Sequence, residues 1–265
     1  MRGQVVEATA KLLTVSLVSH GQGELMRPLI RQLSAIAHEV PLKVVITENL
    51  PERRVADDGF GDLDIRYIQN AEPKGFGANH NAAFAFCDTP YFCVVNPDVR
   101  LIENPFPALL AQARARPGVV APRVVANDGA VEDSARKVPR PLVLLRRALT
   151  RLTNNRMPPD YAGEGTVPVD WAAGMFLLFD ASVFKRLRGF DDRYHLYCED
   201  VDVCLRTWLN GGSVHLANDV IVMHDARRDS HRRLRYLRWH LASMMRLFTS
   251  SAYWRFRLRH LAAGN

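Results

Sequence analysis

The sequence predicts an α/β fold in which a mostly parallel sheet is covered by helices on both faces. Short apolar runs that fit buried strands alternate with segments of helical periodicity. The apolar fraction, 48% of 265 residues, is ample for a buried core. We therefore expect one large domain over residues 1–225, followed by a basic helical segment over 226–265.

The first hundred residues alternate strands with helices. We predict strands at 12–18, 42–46, 65–68 and 91–95, and helices at 24–37 and 77–86. Because parallel strands joined by crossover helices are covered on both faces, a mostly parallel sheet is the economical architecture. This pattern is typical of a nucleotide-binding half over residues 1–100.

The second part of the domain starts with a helix near 105–115. The run at 119–125 is followed by an Asn-Asp-Gly turn and predicts short strands or a hairpin. Prolines between 139 and 159 bracket a looser stretch, which we interpret as a mobile flap or an acceptor-side insertion. The chain is predicted to return to the sheet at 169–179, and a short helix then leads to an acidic motif.

Composition limits the location of the protein. No apolar run approaches the roughly eighteen residues of a membrane span, and Glu7 and Lys11 interrupt the N-terminal stretch where a signal peptide needs apolar residues. We expect a cytoplasmic protein. The four cysteines fit neither a zinc ribbon nor a dense disulfide framework, so we expect reduced core residues. They are Cys87, Cys93, Cys198 and Cys204.

The positive charge is concentrated at the C-terminal end. Residues 226–265 contain ten arginines and one acid, Asp229, within a chain of net charge +7. Apolar residues recur there at helical spacing from Leu234 to Phe248, and aromatic residues follow. Three interpretations remain: a closing helix on the core, binding to nucleic acid, or docking on an anionic membrane. The last would make the protein a peripheral protein of the inner face of the cell membrane.

Two acidic positions carry the functional signal. Glu199, Asp200 and Asp202 lie at the start of a predicted helix, where a carboxylate meets the positive end of the helix dipole. Asp98 follows the predicted strand at 91–95, at the sheet edge where open α/β sheets bind ligands. Together they suggest a base and a metal site, although each acid alone also fits a helix cap or a turn.

A glycine-containing loop lies between a predicted strand and helix. Gly75, Phe76 and Gly77 would let the backbone approach a ligand, and N–H groups at a helix start can bind phosphate. The loop is neither a Walker loop nor a dinucleotide-binding fingerprint. A tight strand-to-helix turn is the alternative interpretation.

Taken together, the motifs point to one family. They comprise Asn70, Gly75, Phe76, Gly77, Asn81, Asn96, Pro97, Asp98, Asp170, Trp171, Gly174, Gly189, Phe190, Asp191, Tyr197, Glu199, Asp200, Asp202, Arg206 and His224. In order and spacing they resemble the inverting family 2 glycosyltransferases of the GT-A fold, over roughly residues 12–230. The glycine loop, Asn96-Pro97-Asp98 and the segment at 121–141 look most like bacterial rhamnosyltransferases that use dTDP-L-rhamnose. The resemblance implies a GT-A sheet and an acceptor-binding half over 101–225.

The resemblance also implies roles at the reacting centre. A departing nucleoside diphosphate needs nearby positive charge, so Asp98 and His224 are the expected ligands of a divalent cation, Mg²⁺ or Mn²⁺. The family usually presents a second carboxylate where this chain has Asn96. Asp200 is the expected general base, with Glu199 as the alternative base or as a ligand of the acceptor hydroxyls. Asp202 is expected to hold Arg206 or to cap the helix.

Further residues are expected to bind the donor. Ser19 and Glu48 end the first two strands, where a carboxylate can accept the pyrimidine N3 proton. Lys74, Arg136 and Arg206 are candidates for diphosphate contacts, each also explicable as a surface or helix-pair charge. Trp171 can stack on a sugar face or fill the core. The remaining expected donor-site residues are Gly75, Phe76, Asn81, Asn96 and Gly174.

The leading hypothesis is thus a sugar transferase that acts on a surface-polysaccharide acceptor, such as a polyprenyl-diphosphate-linked saccharide. A nucleotidyltransferase or sugar epimerase is the enzyme alternative, but the sequence lacks the glycine motifs of both. A nucleic-acid-binding protein with a basic arm is the third hypothesis. It does not explain why acidic residues occur at Asp98 and at the motif that begins with Glu199. We expect no nucleic-acid partner.

Overall fold

The computed structural model describes residues 10–51, 60–140, 160–161, 163–224 and 234–262. Its strands are β1 (Leu13–Ser19), β2 (Leu42–Glu48), β3 (Asp64–Gln69), β4 (Tyr91–Val95), β5 (Val99–Leu101), β6 (Gly118–Val125), β7 (Ala135–Arg136), β8 (Thr166–Pro168), β9 (Trp171–Ala172), β10 (Phe176–Asp180) and β11 (Ser213–His224). Its helices are α1 (Gly23–Ile36), α2 (Phe76–Phe84), α3 (Phe106–Ala115), α4 (Ala181–Arg186), α5 (Glu199–Leu209), α6 (Leu234–Thr249) and α7 (Ser251–Ala262).

One large mixed sheet dominates the structure. Its strand order is β3-β2-β1-β4-β10-β6-β11-β5, and β8 pairs with β11 beside this path. Strands β1 to β4 are parallel, β10 is antiparallel to β4 and β6, and β11 is parallel to β6. The predicted α/β fold is confirmed, with a mixed sheet in which four of the eight pairings between the described strands are parallel.

Strand direction brings the candidate residues to one edge of the sheet. The parallel strands β1, β2 and β4 end there, at Ser19, Glu48 and Val95. Because β10 is antiparallel to β4, it begins at the same edge, and the backbone N–H of Asn96 donates to the carbonyl of Met175 at 2.9 Å. Strand β11 has the direction of β6 and ends there at His224.

Alternating strand residues fill two apolar layers. In β4, Cys93 and Val95 pack in the layer that contains α1 and α3, whereas Phe92 and Val94 pack in the layer with α2, α4 and α5. Because successive residues point to opposite faces and both faces are buried, β1, β2 and β4 are apolar along most of their length.

The C-terminal helices pack on α5 with one face each. Leu247 of α6 and Tyr253 and Phe256 of α7 are buried in a third apolar cluster with Leu205 of α5. The interpretation as a closing helix on the core is therefore correct only in part, because Leu247 is buried whereas Leu237 of the same helix is more than half exposed.

Several smaller expectations can be compared directly. The strand predicted at 169–179 is divided into β9 and β10, with Gly174 between them. The four cysteines are unpaired, as predicted, and Cys93 and Cys204 are buried. The expected flap lies mostly outside the described residues. None of the described helices combines the length and the apolar character needed to cross a bilayer.

Candidate functional site

A turn with unusual backbone geometry precedes the acidic helix α5. Tyr197 and Cys198 both have positive φ angles, 74° and 66°, which side-chain-bearing residues adopt at a cost in free energy. Glu199 and Asp200 follow directly as the first two residues of the helix. Such strain persists only where surrounding contacts determine the backbone, so the first turn of α5 is fixed in direction.

Asp200 is held by backbone N–H groups. Its Oδ2 accepts from Gly174 at 3.0 Å, and its Oδ1 accepts from Val201 at 2.8 Å. Burial raises the pKa of Asp200 above its usual range, while these two N–H donors and the charge of Arg136 oppose the rise. A carboxylate with two N–H bonds keeps further lone pairs for a ligand proton.

Glu199 is the more deeply buried of the two acids, with 4% of its surface exposed. Its Oε2 is buried and has no hydrogen-bond partner. Burial, together with the neighbouring charge of Asp200, raises the pKa of Glu199. A buried oxygen without a partner is costly, so Glu199 is either protonated or supplied with a donor by a ligand.

Gly174 explains how Asp200 and the glycine loop meet. A Cβ at Gly174 would lie 2.9 Å from Cζ of Phe76 and 3.8 Å from Cβ of Asp200. The carbonyl of Met175, next to Gly174, accepts from the N–H of Asn96, two residues before Asp98. The turn at Asp98 is therefore connected to the segment that bonds Asp200. The structure thus brings together Phe76, Asn96, Gly174 and Asp200.

The glycines of the loop before α2 lie close to another segment of the protein. A Cβ at Gly75 would lie 2.5 Å from the carbonyl oxygen of His195, which accepts from the N–H of Phe76 at 2.9 Å. A Cβ at Gly77 would lie 2.6 Å from Cβ of Phe190. These contacts account for both glycines by close packing against the segment that leads to α5.

A buried asparagine network fixes the loop before α2. Asn70 donates to the side-chain oxygens of Asn49 and Asn79, at 2.7 and 2.6 Å. Asn49 also bonds the backbone N–H and carbonyl of Lys74, whose side chain remains exposed. Asn79 was not among the expected site residues, because a polar residue inside a helix gives no sequence signal of its tertiary partners.

The expected nucleobase contacts lie at the ends of neighbouring strands. Ser19 and Glu48 are register partners, and both are buried. Oγ of Ser19 accepts from the N–H of Gln22 at 3.1 Å. Their placement agrees with the expected position at the edge of the sheet.

Three expected donor residues are engaged with protein. Asn81 bonds the backbone N–H and carbonyl of Phe190, at 2.9 Å each. Nε1 of Trp171 donates to the carbonyl of Lys137 at 3.1 Å. Arg136, the cross-strand partner of Trp171, forms an ion pair with Asp133.

Arg206 lies toward the far end of α5. Its Nε bonds Oδ2 of Asp202 at 2.6 Å, which confirms the expected pair. Its Nη1 and Nη2 donate to the carbonyls of Leu187 and Gly189, at 2.9 Å each. Since all three nitrogens are engaged with protein, one with Asp202 and two with the turn before α5, we leave Arg206 out of the proposed diphosphate contacts.

Asp98 and His224 meet at the edge of the sheet. Oδ1 of Asp98 lies 3.2 Å from Nε2 of His224, yet neither atom has a hydrogen-bond partner of acceptable geometry. Nδ1 of His224 bonds Oε2 of Glu132 at 2.9 Å. Burial alone lowers the pKa of His224, but the neighbouring carboxylates of Asp98 and Glu132 outweigh it and raise the pKa to about 9.

This pair fits a cation in the chemistry of its donor atoms. Two ligands at right angles around an ion with bonds of about 2.1 Å are about 3 Å apart, close to the observed separation. No third protein ligand joins the pair, since no group of three His, Cys, Asp or Glu side chains that could hold a metal occurs within the described ranges. Glu132, which sequence reasoning missed, orients His224 from the other ring nitrogen, as the outer partners of metal-binding histidines do.

Comparison with protein families gives a match within the domain. Residues 50–179 match the family model described as Glycosyl transferase family 2. These residues include the glycine loop, the Asp98 turn and Gly174.

Two curated proteins are similar over most of their length. Rhamnosyltransferase WbbL of Escherichia coli strain K12 is 27% identical over 246 residues, which cover 89% of this chain and 92% of that protein. N-acetylglucosaminyl-diphospho-decaprenol L-rhamnosyltransferase of Mycobacterium tuberculosis strain H37Rv is 26% identical over 293 residues, which cover 96% and 90%.

Solved structures share the fold. GalNAc-T7 with UDP, GalNAc and Mn²⁺ matches 82% of this chain with a TM-score of 0.60 and 14% identity. The mannosyltransferase PcManGT from Pyrobaculum calidifontis, in complex with GDP-Man and Mn²⁺, matches 90% with a TM-score of 0.55 and 17% identity. The chain spans 44% and 65% of those two chains, less than two thirds of each. The likeness shows the GT-A fold.

Proposed function

We propose that this chain, a glycosyltransferase with a family 2 domain, transfers L-rhamnose from dTDP-L-rhamnose to a hydroxyl of a lipid-linked saccharide. The observation that carries the proposal is the meeting of Asp200, Gly174 and Phe76 at the sheet edge where β1, β2 and β4 end. A carboxylate fixed by backbone donors beside a nucleotide-binding edge is what a hydroxyl nucleophile requires.

Asp200 acts as the general base in this proposal. The acceptor hydroxyl loses its proton to the carboxylate as its oxygen attacks the anomeric carbon, and the nucleoside diphosphate leaves from the opposite face. Direct displacement inverts the anomeric configuration and needs no covalent enzyme intermediate. Because burial raises the pKa of Asp200, the carboxylate is a better proton acceptor than an exposed aspartate.

Glu199 has a supporting role in the same site. Its buried and unpartnered Oε2 can accept a hydrogen bond from a hydroxyl of the acceptor. Such a bond orients the saccharide, and orientation of a reactant contributes to catalysis by itself. If Glu199 is the base instead, Glu199→Gln should lower the rate of transfer more than Asp200→Asn does.

Asp98 and His224 would hold the divalent cation. When bound, such an ion supplies positive charge for the departing diphosphate. In the arrangement described, the imidazole of His224 is protonated on both ring nitrogens at neutral pH, because its pKa is raised to about 9. Binding of a cation therefore requires release of that proton, so the affinity for the metal should increase with pH.

The choice of donor and acceptor rests on the relatives. Both curated relatives have names that state rhamnosyl transfer, and the mycobacterial name includes diphospho-decaprenol. In this chain, Glu48 at the end of β2 is the group proposed to accept the N3 proton of thymine. The solved structures with UDP, GDP-Man and Mn²⁺ support a nucleotide donor and a divalent metal in general terms.

Donor hydrolysis tests the proposal without a known acceptor. The chain is incubated with dTDP-L-rhamnose, dTDP-glucose, UDP-glucose and GDP-mannose, and the released nucleotide is separated by anion exchange. We expect dTDP from dTDP-L-rhamnose above all others, dependent on Mg²⁺ or Mn²⁺. In a parallel incubation with added pyrophosphate, formation of dTTP and sugar 1-phosphate would instead indicate a nucleotidyltransferase. Equal hydrolysis of every donor would contradict the proposed sugar.

A further inference from the structure

The two C-terminal helices are attached to the domain by one face each. Oγ of Ser243 in α6 donates to the carbonyl of Leu196 at 2.8 Å, and Leu247 is fully buried. In α7, the hydroxyl of Tyr253 donates to the carbonyl of Pro139 at 3.0 Å. These contacts determine which face of each helix remains outside.

The outer faces are apolar. Six large apolar side chains are between 54% and 65% exposed: Leu237, Leu241, Met245, Trp254, Leu258 and Leu261. The first three are spaced by four residues, as are Trp254 and Leu258, so each set forms a continuous stripe on its helix. We call these six residues the outer stripe. Contiguous apolar patches on a protein surface usually mark an interaction site.

The charges beside the outer stripe indicate its partner. Helices α6 and α7 carry six arginines and no acid. Symmetric pairing with a second copy would place these cations against one another, because a two-fold interface uses the same patch on both partners. An anionic lipid surface, in contrast, accepts both the arginines and the apolar side chains.

A cationic cavity of about 480 Å³ opens beside α7. Three cationic residues, Lys137, Arg140 and Arg257, and one acid, Asp170, line it, together with Leu261 of the outer stripe. Nη1 of Arg257 is buried and has no hydrogen-bond partner. A buried guanidinium nitrogen without a partner is costly unless an anion reaches it, and a phosphate group is the natural ligand of converging arginines.

We propose that the outer faces of α6 and α7 dock on an anionic phospholipid membrane, and that the cationic cavity receives the phosphate of one lipid. Leu261 joins the two parts, because it belongs to both the stripe and the cavity wall. Helix α6 also contacts the segment before Glu199 through Leu196, so docking would place the candidate site close to the bilayer. The inference concerns binding alone and is independent of the transferred sugar.

Vesicle flotation of the full chain tests the surface. We expect binding to phosphatidylglycerol vesicles, little binding to phosphatidylcholine vesicles, and weakening by salt. The variant L237Q/L241Q/M245Q, and separately R235Q/R238Q/R255Q, should lower binding by about tenfold or more, since each arginine near the surface contributes about fivefold. A wild-type chain that ignores phosphatidylglycerol vesicles at low salt overturns the proposal.

Matched variants control for general loss of apolar surface or charge. Ile102 is 57% exposed and lies outside these helices, so I102Q is the apolar control. R114Q/K185Q/R186Q removes three cations from helices α3 and α4. Both controls should bind vesicles like the wild type, with unchanged thermal midpoints for all variants. Equal losses in the controls and the helix variants would refute a specific docking face.

The cavity is tested with a soluble lipid. Dihexanoyl-phosphatidylglycerol, below its micellar concentration, is titrated into the full chain by calorimetry, with inorganic phosphate as a second probe. We expect saturable lipid binding that R140Q/R257Q lowers at least tenfold and K185Q/R186Q leaves unchanged. Absence of saturable binding, or inorganic phosphate that binds as tightly as the lipid, would overturn the lipid assignment of the cavity.

Discussion

The backbone N–H of Gly174 donates to Oδ2 of Asp200 at 3.0 Å and joins the turn between β9 and β10 to the first turn of α5. This bond connects the sheet edge, where the donor is proposed to bind, to the proposed base. It holds the carboxylate but leaves lone pairs for the acceptor proton. The first predictions test this relationship.

Asp200→Asn should reduce sugar transfer by about 10² or more, since that is the typical contribution of a general base. Binding of dTDP should change little, because a base acts in the transition state. Transfer is measured by release of dTDP with acceptor, and nucleotide binding by calorimetry. Asp62→Asn, an exposed acid on another part of the surface, serves as the control. If Glu199→Gln has the larger effect on the rate, the base is Glu199.

Gly174→Ala should impair the site through steric conflict. The new Cβ would lie 2.9 Å from Cζ of Phe76, closer than such atoms approach in proteins. We expect destabilisation of about 1–3 kcal/mol, as is typical of overpacking. The double variant Gly174→Ala with Phe76→Leu should regain part of the stability, measured by denaturant unfolding. Strict additivity of the two changes would show that the contact is not responsible.

Glu199→Gln should change how stability depends on pH. Burial and Asp200 raise the pKa of Glu199 in the folded state above its ordinary value of 4.5. A group with a raised folded pKa stabilises fully below its unfolded pKa, and this contribution is lost as pH rises through the folded pKa. The variant should therefore match the wild type near pH 4.5 and have the higher thermal midpoint above about pH 8. Parallel midpoint curves across this range would show that Glu199 is not perturbed.

Asp98→Asn and Glu132→Gln test the proposed cation site at two levels. Asp98→Asn removes a direct ligand, and Glu132→Gln removes the group that orients His224 from Nδ1. Both should weaken Mn²⁺-dependent dTDP binding, Glu132→Gln by about 10–100-fold in metal affinity. Neither should alter dTDP binding in EDTA. An identical loss with and without metal would assign these residues to structure.

Much of the sheet could be predicted from the sequence. Strands β1, β2 and β4 are buried on both faces, so each is an apolar run long enough to recognise. The three-residue β5 was missed, because its pairing with β11 spans more than a hundred residues and leaves no local pattern. The division of the strand at 169–179 also depends on tertiary contacts, since Gly174 must pass close to Phe76.

The candidate site was partly readable. Asp98 and Asp200 were predicted from the residue pattern and His224 from the resemblance, and the structure brings Asp98 and His224 within 3.2 Å. The role of Glu132 had no sequence signal, since an acid after a turn is common on surfaces. Glycine in a loop indicates that something approaches the backbone, but not what approaches. At Gly75 the neighbour is the carbonyl of His195.

The sequence by itself determined the α/β pattern, the acidic start of α5 and a basic amphipathic C-terminal segment, because all three follow from local periodicity and charge. Only the tertiary structure decided which face of that segment is outside. The periodicity of α6 identifies an apolar stripe, yet Leu247 is buried on α5 while Leu241 is exposed. Burial depends on which surfaces meet in three dimensions, and helical spacing within one segment cannot specify its partner.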